Sequence, residues 1–109
     1  MIRIGGRYRI VLVTCGSLAE ARKVGRSVVE KKLAACTNIV AGVESIYRWK
    51  GKVERAREVL LIMKTTAARL RQLEKEMRRL HSYDVPEFVV VPIVAGSQEY
   101  LEWVGKSVQ

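Results

Sequence analysis

Three side chains of this 109-residue sequence carry the chemistry of metal ligands: His81, the only histidine, and the two cysteines, Cys15 and Cys36. A neutral imidazole nitrogen is available near pH 7 and suits copper and zinc. Cys15 lies between a buried apolar run and a helix start, a position that lowers the pKa of a thiol and favours the thiolate. We interpret Cys36, which begins a later strand, as a small buried hydrophobe. Because one imidazole does not define a metal site, the fold must bring other ligands to His81.

The elements that position these residues follow from the apolar pattern. The run from Arg7 to Thr14 predicts a strand buried on both faces, and the S-x-x-E pattern Ser17–Glu20 predicts a capping box that starts a helix. Residues 87–93 predict a Val-rich strand, and Ser97 begins a last short helix. A second amphipathic helix, with Thr66 as its predicted N-cap, is indicated by apolar residues at helical spacing: Leu70, Leu73, Met77 and Leu80.

Two long extended segments, Cys36 to Trp49 and Lys52 to Thr65, flank the predicted turn Lys50–Gly51. Fourteen residues of strand span about 45 Å, whereas a domain of this size has a radius of gyration of about 13 Å. The hairpin must therefore protrude or bend, and we expect its outer part to pack on another subunit, because an uncovered two-stranded arm is unstable. The alternative is that it folds back onto its own domain. The outer part contains Ile46, Tyr47, Trp49 and Val53.

The element order is β-α-β-β-α-β with one additional helix, which predicts a single α+β domain over residues 1–109. This is the ferredoxin-like sandwich, here with a C-terminal helix and a long protruding hairpin between the two middle strands. In that topology the second helix returns the chain to the end where the first strand finishes. We therefore expect Cys15 and the 81–87 loop to share one end of the sheet. Cys36 belongs at the opposite end, too far from Cys15 for a disulfide.

Several segments together resemble the CutA family of divalent-cation tolerance proteins: Leu33–Ile39, Gly42–Gly51, Glu58–Thr65, His81–Glu87 and Tyr100–Trp103. The resemblance runs in order from about Ile10 to Val104. It implies a ferredoxin-like subunit in a homotrimer that the long hairpin helps to lock together, with an architecture similar to the PII signalling proteins. It also implies a link to copper and other divalent metals, and no accepted reaction.

The family pattern is incomplete around the histidine. Ser82 stands where the family usually has proline, Leu80 where metal-binding members can have a second histidine, and Cys15 two residues beyond the family's strand cysteine. Our hypothesis is that His81, with Cys15 or with groups of a neighbouring subunit, binds copper or another divalent cation weakly, with no tightly bound cofactor. The alternative is that His81 caps or orders its loop.

A second group of residues is shared by the family motifs and combines aromatic rings with one cation and one carboxylate. These residues could line a cleft between subunits that binds a small anionic ligand. Interface packing explains them as well, because Tyr and Trp are favoured at interfaces. Glu58 is predicted to form a cross-strand ion pair. The group consists of Tyr47, Trp49, Lys64, Tyr83, Glu87 and Trp103.

Other function classes fit the sequence less well. RNA-recognition motifs share the element order but stack bases on third-strand aromatic residues, whereas this strand reads EVLLIMK. The net charge of +9 is spread over several elements, so we expect no specific nucleic-acid partner. No phosphate-binding glycine loop and no catalytic motif is present, so we expect no enzyme. The remaining hypotheses are a metal-tolerance protein and a PII-like ligand sensor or trimeric scaffold with a protein partner.

The same sequence indicates where the protein works. No apolar run approaches the ~18 residues of a membrane span, and Met1–Gly6 lacks the apolar core of a secretory signal. Two cysteines without a disulfide or zinc pattern favour the reducing cytoplasm. The abundance of Arg, Lys and Glu, with a single asparagine, is typical of a thermostable protein from a hot environment.

Overall fold

The computed structural model describes all 109 residues. The chain forms six strands and three helices, and a short 3-10 turn at Ala67–Arg69 joins β4 to α2. In chain order they are β1 (Ile2–Ile4), β2 (Tyr8–Cys15), α1 (Leu18–Glu30), β3 (Cys36–Trp49), β4 (Lys52–Thr66), α2 (Leu70–Leu80), β5 (Val89–Pro92), β6 (Ala95–Ser97) and α3 (Gln98–Ser107).

A four-stranded antiparallel sheet in the order β3-β4-β2-β5 forms the centre of the domain. The helices α1 and α2 pack on one of its faces, which confirms the predicted ferredoxin-like arrangement. Side chains from both layers interdigitate and exclude water, so this core supplies the main apolar stabilisation. Its fully buried members include Val11, Val13, Val24, Val28, Leu61, Met63, Leu73 and Met77.

The opposite face of the sheet is apolar but has no helical layer of its own. The helix α3 covers only one end of it, packing Leu101, Val104 and Val108 against Tyr8 and Ala35. We call the remaining surface the open sheet face. The strand register places on it Ile10, Leu12, Val40, Leu60, Ile62, Val89 and Val91, all of them partly or fully exposed within one subunit.

A second, two-stranded sheet was not predicted from the sequence. It pairs β1 with β6, and Ile2 lies opposite Ser97. An ion pair between Arg3 and Glu102, 3.3 Å apart, also joins the N-terminal segment to α3. The two strands have three residues each, which is too short for alternation to be recognised, and their pairing depends on a contact between distant parts of the chain.

In the long hairpin, β3 and β4 are paired along their length: Cys36 lies opposite Lys64 at the base, and Trp49 lies opposite Lys52 at the tip. One β-bulge interrupts the ladder between Val40 and Val43. Lys50 and Gly51 have φ angles of 51° and 79°, as the predicted tight hairpin turn requires at both central positions. The subunit measures 46 × 24 × 23 Å, about twice as long in one direction as in the other two. The protruding hairpin that the strand lengths predict is therefore confirmed.

The two predicted helix starts have different outcomes. The hydroxyl of Ser17 accepts a hydrogen bond from the Glu20 backbone N–H at 3.1 Å, so Ser17 is the N-cap of α1. Thr66 ends β4 and is the N-cap residue of the 3-10 turn that leads into α2, so its predicted position is confirmed, but its side chain makes no capping hydrogen bond. The chain passes from the strand directly into the 3-10 turn, so the buried strand end positions α2 without a side-chain cap.

A buried carboxylate joins the two helices. Glu76 of α2 accepts hydrogen bonds from Arg79 at 2.8 and 2.9 Å and from the hydroxyl of Ser27 on α1, and it pairs with Lys31 at 3.1 Å. The hydrogen bonds from Arg79, and then that from Ser27, hold the pKa of Glu76 well below its usual range. Because the folded state favours the charged form, this carboxylate stabilises the fold above its unfolded pKa and ceases to do so as the pH falls.

We expect Glu76→Gln to lower the free energy of unfolding at pH 7 by about 2 kcal/mol, the contribution of hydrogen bonds to a charged group. The deficit should begin to shrink in acid below about pH 4.5, because the carboxylate of the unfolded wild-type chain then binds a proton while the folded one remains charged. Denaturant unfolding at pH 7 and in acid measures both effects. The control is Glu74→Gln, which removes an exposed pair with Arg78 and should cost less than about 0.5 kcal/mol. Equal losses in the two variants would contradict a special role for Glu76.

Candidate functional site

The candidate metal centre lies where β2 ends, α1 begins and α2 ends. Cys15 is the last residue of β2, Glu20 is in the first turn of α1, and His81 is the C-cap of α2. One ligand atom from each of these residues lies within 4.8 Å of the other two. The expected proximity of Cys15 to the loop of His81 is thus confirmed, and Glu20 is an additional member that was not predicted from the sequence.

Hydrogen bonds occupy both ring nitrogens of His81. Nε2 donates to the carbonyl oxygen of Thr14 at 2.7 Å, and Nδ1 accepts from the backbone N–H of Tyr83 at 3.1 Å. This pattern assigns the neutral tautomer with its proton on Nε2. The imidazole therefore orders the loop after α2, and a metal ion could reach Nδ1 only if the N–H of Tyr83 moved away.

Glu20 presents an unsatisfied group to the same centre. Its Oε2 atom is buried and has no hydrogen-bond partner, and it lies 3.6 Å from Nδ1 of His81. The S-x-x-E pattern predicted that this side chain would return to the helix N-terminus, but only the Ser17 half of the capping box forms. A buried carboxylate oxygen without a partner is costly, so the donor set of thiol, carboxylate and imidazole fits a cation between them.

The prediction that the helix N-terminus activates Cys15 is wrong. Its side chain is fully buried. Burial, followed by the charges of Glu20 and Glu58, raises the pKa of the Cys15 thiol to about 12. The thiol is therefore protonated near neutral pH, and a metal ion would have to displace this proton. Such displacement makes binding weaker than at a preformed thiolate site.

Cys36 lies at the other end of the sheet, as expected. Its cross-strand partner on β4 is Lys64, whereas that of Cys15 is Val59. Five residues of strand separate these positions by about 17 Å, and both cysteines are free thiols. Cys36 is only partly buried and lies 3.8 Å from the hydroxyl of Tyr100, so its interpretation as a small buried hydrophobe is wrong for the single subunit.

A cavity of about 840 Å³ lies beside the candidate metal centre. It lies between the outer hairpin and the loop that follows His81, and its wall includes four residues of the predicted ligand group: Tyr47, Trp49, Tyr83 and Glu87. Cavities of this volume accommodate small organic molecules. The structure therefore brings these four residues together within one subunit.

Lys64 and Trp103, the other two members of that group, do not line this cavity. Lys64 lies near the opposite end of β4, where its ammonium group donates to the side-chain oxygen of Asn38. Trp103 is on α3, with its ring centroid 5.5 Å from that of Tyr100. A single subunit therefore does not assemble the six residues into one cleft, and a cleft that joins them between subunits stays a prediction.

The structure assigns Glu58 a different partner from the predicted ion pair. On β3, Val43 lies opposite Glu58. The Oε2 atom of Glu58 accepts a hydrogen bond from the hydroxyl of Tyr83 at 2.9 Å. The prediction of a cross-strand ion pair for Glu58 is therefore wrong. Burial and this hydrogen bond also raise the pKa of Tyr83, so the phenol remains a donor. The backbone N–H of Tyr83 thus contacts the candidate metal centre, and its ring lines the cavity.

The fold defines the class of protein: a small ferredoxin-like α+β subunit with a long protruding hairpin. Residues 9–107 match the family described as "CutA1 divalent ion tolerance protein". The Divalent-cation tolerance protein CutA of Thermus thermophilus is 47% identical over 94 residues, which are 86% of this chain and 91% of that protein. The chain belongs to the CutA family of divalent-cation tolerance proteins.

Solved structures agree with this assignment. The divalent cation tolerance protein from Thermus thermophilus superposes with a TM-score of 0.92 at 43% identity, covering 94% of this chain and 99% of that one. For the Archaeoglobus fulgidus structure, described as a periplasmic divalent cation tolerance protein CutA, the TM-score is 0.90 at 35% identity, with coverage of 94% and 99%. The predicted family and fold are both confirmed.

Protein CutA, chloroplastic, from Arabidopsis thaliana shows that some relatives are longer. It is 46% identical over 98 residues, which cover 90% of this chain and 54% of that protein. The chain thus spans about half of the plant relative.

In the structure, none of the three helices combines the length and the apolar composition that a bilayer span requires.

Proposed function

We propose that this protein acts in divalent-cation tolerance as a homotrimer that catalyses no reaction and that binds copper or another divalent cation weakly at Cys15, Glu20 and His81. The buried, unpartnered Oε2 atom of Glu20 beside a thiol and an imidazole is the observation that carries this proposal. Sulfur, nitrogen and oxygen donors together suit Cu²⁺ and Zn²⁺ better than Mg²⁺ or Ca²⁺. The family's printed description as divalent ion tolerance proteins agrees with this chemistry.

Two features support a weak rather than a tight site. The thiol of Cys15 must lose its proton, and Nδ1 of His81 must exchange the N–H of Tyr83 for the metal. Each exchange reduces the net free energy of binding. Three protein ligands also leave a fourth position for water or for a group of a neighbouring subunit.

The surface of the subunit supports the proposed homotrimer. The open sheet face and the hairpin leave large apolar side chains uncovered: Ile46 and Val53 are 68% and 66% exposed, and Trp49 is 44% exposed. Exposed apolar surface of this extent marks an interaction site. Other copies of the same chain are the occupants we propose, because the hairpin reaches beyond its own core and could cross a neighbour's open sheet face.

Two finer properties belong to the same proposal. A cytoplasmic location is supported by the two free thiols, which are usual in reducing compartments, although the Archaeoglobus relative is described as periplasmic. Thermostability is supported by the abundance of Arg, Lys and Glu and by the network in which Lys31 and Arg79 both pair with Glu76.

The metal proposal is tested by calorimetric titration of metal-free protein, under anaerobic conditions and with its trimeric mass confirmed by light scattering. Cu²⁺ is the first probe, and Zn²⁺, which does not oxidise thiols, is the second. We expect saturable binding near one ion per subunit. We expect His81→Ala, Cys15→Ala and Glu20→Gln each to weaken it by at least about tenfold, because metal sites lose 10- to 100-fold even when an outer partner is removed.

Cys36→Ala is the matched control, because it removes the other free thiol at the far end of the sheet. Its affinity should equal that of the wild type. Equal binding by the wild type and by His81→Ala would refute the proposed centre and leave His81 as a residue that only orders its loop.

A second candidate function is a PII-like small-molecule sensor. The observation that favours it is the cavity of about 840 Å³ with its aromatic walls. It uses residues other than the metal ligands, so the two functions can be tested separately.

A further inference from the structure

The cavity between the outer hairpin and the loop after α2 has a charge opposite to that of the whole protein. The chain carries 20 Lys and Arg residues against 11 Asp and Glu, for a net charge of +9. No Lys or Arg lines the cavity, whereas four carboxylates do: Glu44, Glu58, Asp84 and Glu87. Glu44 pairs with Arg55 at 3.4 Å, but the other three carboxylates have no Lys or Arg partner, so a ligand that enters this cavity meets a local field of negative sign.

One of these carboxylates is built into the wall rather than exposed at the rim. Glu58 is only 8% exposed, and its single side-chain hydrogen bond is the one that Oε2 accepts from Tyr83. Its Oε1 atom is left with no partner in the subunit. This oxygen is not enclosed by the protein, so it faces the cavity, where it is free to accept a hydrogen bond from a ligand or to pair with a positive charge.

The neighbouring groups favour a positive charge. Burial, and then the charge of Glu58, raise the pKa of Glu87, so the two carboxylates repel each other across the cavity and a cation would relieve the repulsion. Tyr47, Trp49 and Tyr83 supply aromatic rings to the same wall. Tyr and Trp faces attract organic cations through their quadrupoles, and these contacts strengthen when water is excluded.

We propose that this cavity binds a small organic cation, an amine in its ammonium form, with Glu58 and Glu87 as its counter-ions. This inference rests on the second candidate function, the small-molecule sensor, and specifies its ligand class. It differs from the small anionic ligand expected from the sequence for a cleft between subunits, because Lys64, the cation of that expected site, does not line this cavity. The net positive charge of the protein repels cations in general, so any binding must come from the local carboxylates.

Three probes of the same shape separate charge from shape: cyclohexylammonium, cyclohexanol and cyclohexanecarboxylate. Each is titrated at pH 7 into the assembled wild-type protein and followed by NMR chemical-shift changes. We expect the ammonium ion to bind at least about tenfold more tightly than the alcohol, the gain from one hydrogen bond to a charged group. We expect the carboxylate to bind more weakly than both.

Glu58→Gln retains the acceptor for Tyr83 but removes the charge, and it should weaken cyclohexylammonium about tenfold while leaving cyclohexanol unchanged. Glu87→Gln provides a second variant if the first does not assemble. Glu30→Gln is the control, because it removes one charge from an exposed pair on α1 and should leave all three affinities unchanged.

The outcomes distinguish the two levels of the proposal. Binding of cyclohexanecarboxylate as tight as that of cyclohexylammonium would overturn the cation inference and leave the sensor function standing. No binding of any of the three probes would overturn the sensor function at this cavity and the inference with it. Unchanged cyclohexylammonium affinity in both Glu58→Gln and Glu87→Gln would also overturn the inference.

Discussion

A chain with a shortened hairpin should be a monomer. Deleting Ile46–Trp49 and Lys52–Arg55 leaves the turn Lys50–Gly51 between Ser45 and Ala56, which already lie opposite each other. Because the ladder alternates with a period of two, this pair has the same hydrogen-bond type as Trp49–Lys52, and the turn can close it. The deletion removes four exposed apolar side chains from each subunit: Ile46, Tyr47, Trp49 and Val53.

The expected effect is large because full burial of an exposed apolar side chain contributes about 1.5–3 kcal/mol, and these four side chains are between 43% and 68% exposed in the subunit. The loss is therefore on the order of 5 kcal/mol per subunit, and light scattering at micromolar concentration should report the mass of one subunit instead of three. Lys50→Asn is the control: it changes the same tip but retains the arm, and asparagine suits the positive φ of this position. A truncated chain that stays trimeric would refute the proposed role of the hairpin.

The second large effect is expected in the core. Leu61, on β4, is fully buried between the sheet and the helices. Leu61→Ala should lower the free energy of unfolding by about 3–5 kcal/mol, through lost burial and the cavity that remains. Denaturant unfolding at a fixed protein concentration measures the change, because the stability of an oligomer depends on concentration.

Leu80→Ala is the graded comparison for this variant. Leu80 ends α2 and packs against the same core while only partly buried, so its loss should be about 1–2 kcal/mol. If the two substitutions cost the same, the distinction that the structure draws between the centre of this core and its margin would be wrong.

The long strands and the amphipathic helix could be predicted because each depends on its own sequence. Strand lengths alone required a protruding arm, and apolar spacing identified the helix from Leu70 to Leu80. The pairing of β1 with β6 could not be predicted, since each strand has three residues and acquires its conformation from the other. The topology placed Cys15 near His81 correctly, because the ferredoxin-like order fixes which strand ends are neighbours.

The details of the candidate sites were less accessible. Ser17 and Glu20 fit a capping box, so the pattern gave no sign that the Glu20 carboxylate turns toward Cys15 and His81. A helix N-terminus lowers the pKa of a thiol, but for Cys15 burial and two carboxylates outweigh it. The orientation of the Glu20 carboxylate and the pKa of the Cys15 thiol both depend on residues that are close only in the folded structure. The predicted strand from Lys52 to Thr65 already separates Glu58 from Lys64, but only the three-dimensional structure shows that Glu58 lines the cavity and Lys64 does not.

The bulge at Val40–Val43 limits how such a hairpin can change during evolution. Between these paired positions β3 advances by three residues and β4 by two, and beyond the bulge every side chain keeps its assigned face. Loss of one residue from either strand would exchange the two faces, moving Tyr47 and Trp49 to the side now occupied by Ile46. Arms of different reach can therefore arise only by gaining or losing two residues in both strands at once, so the length of this arm should vary in discrete steps of about 7 Å.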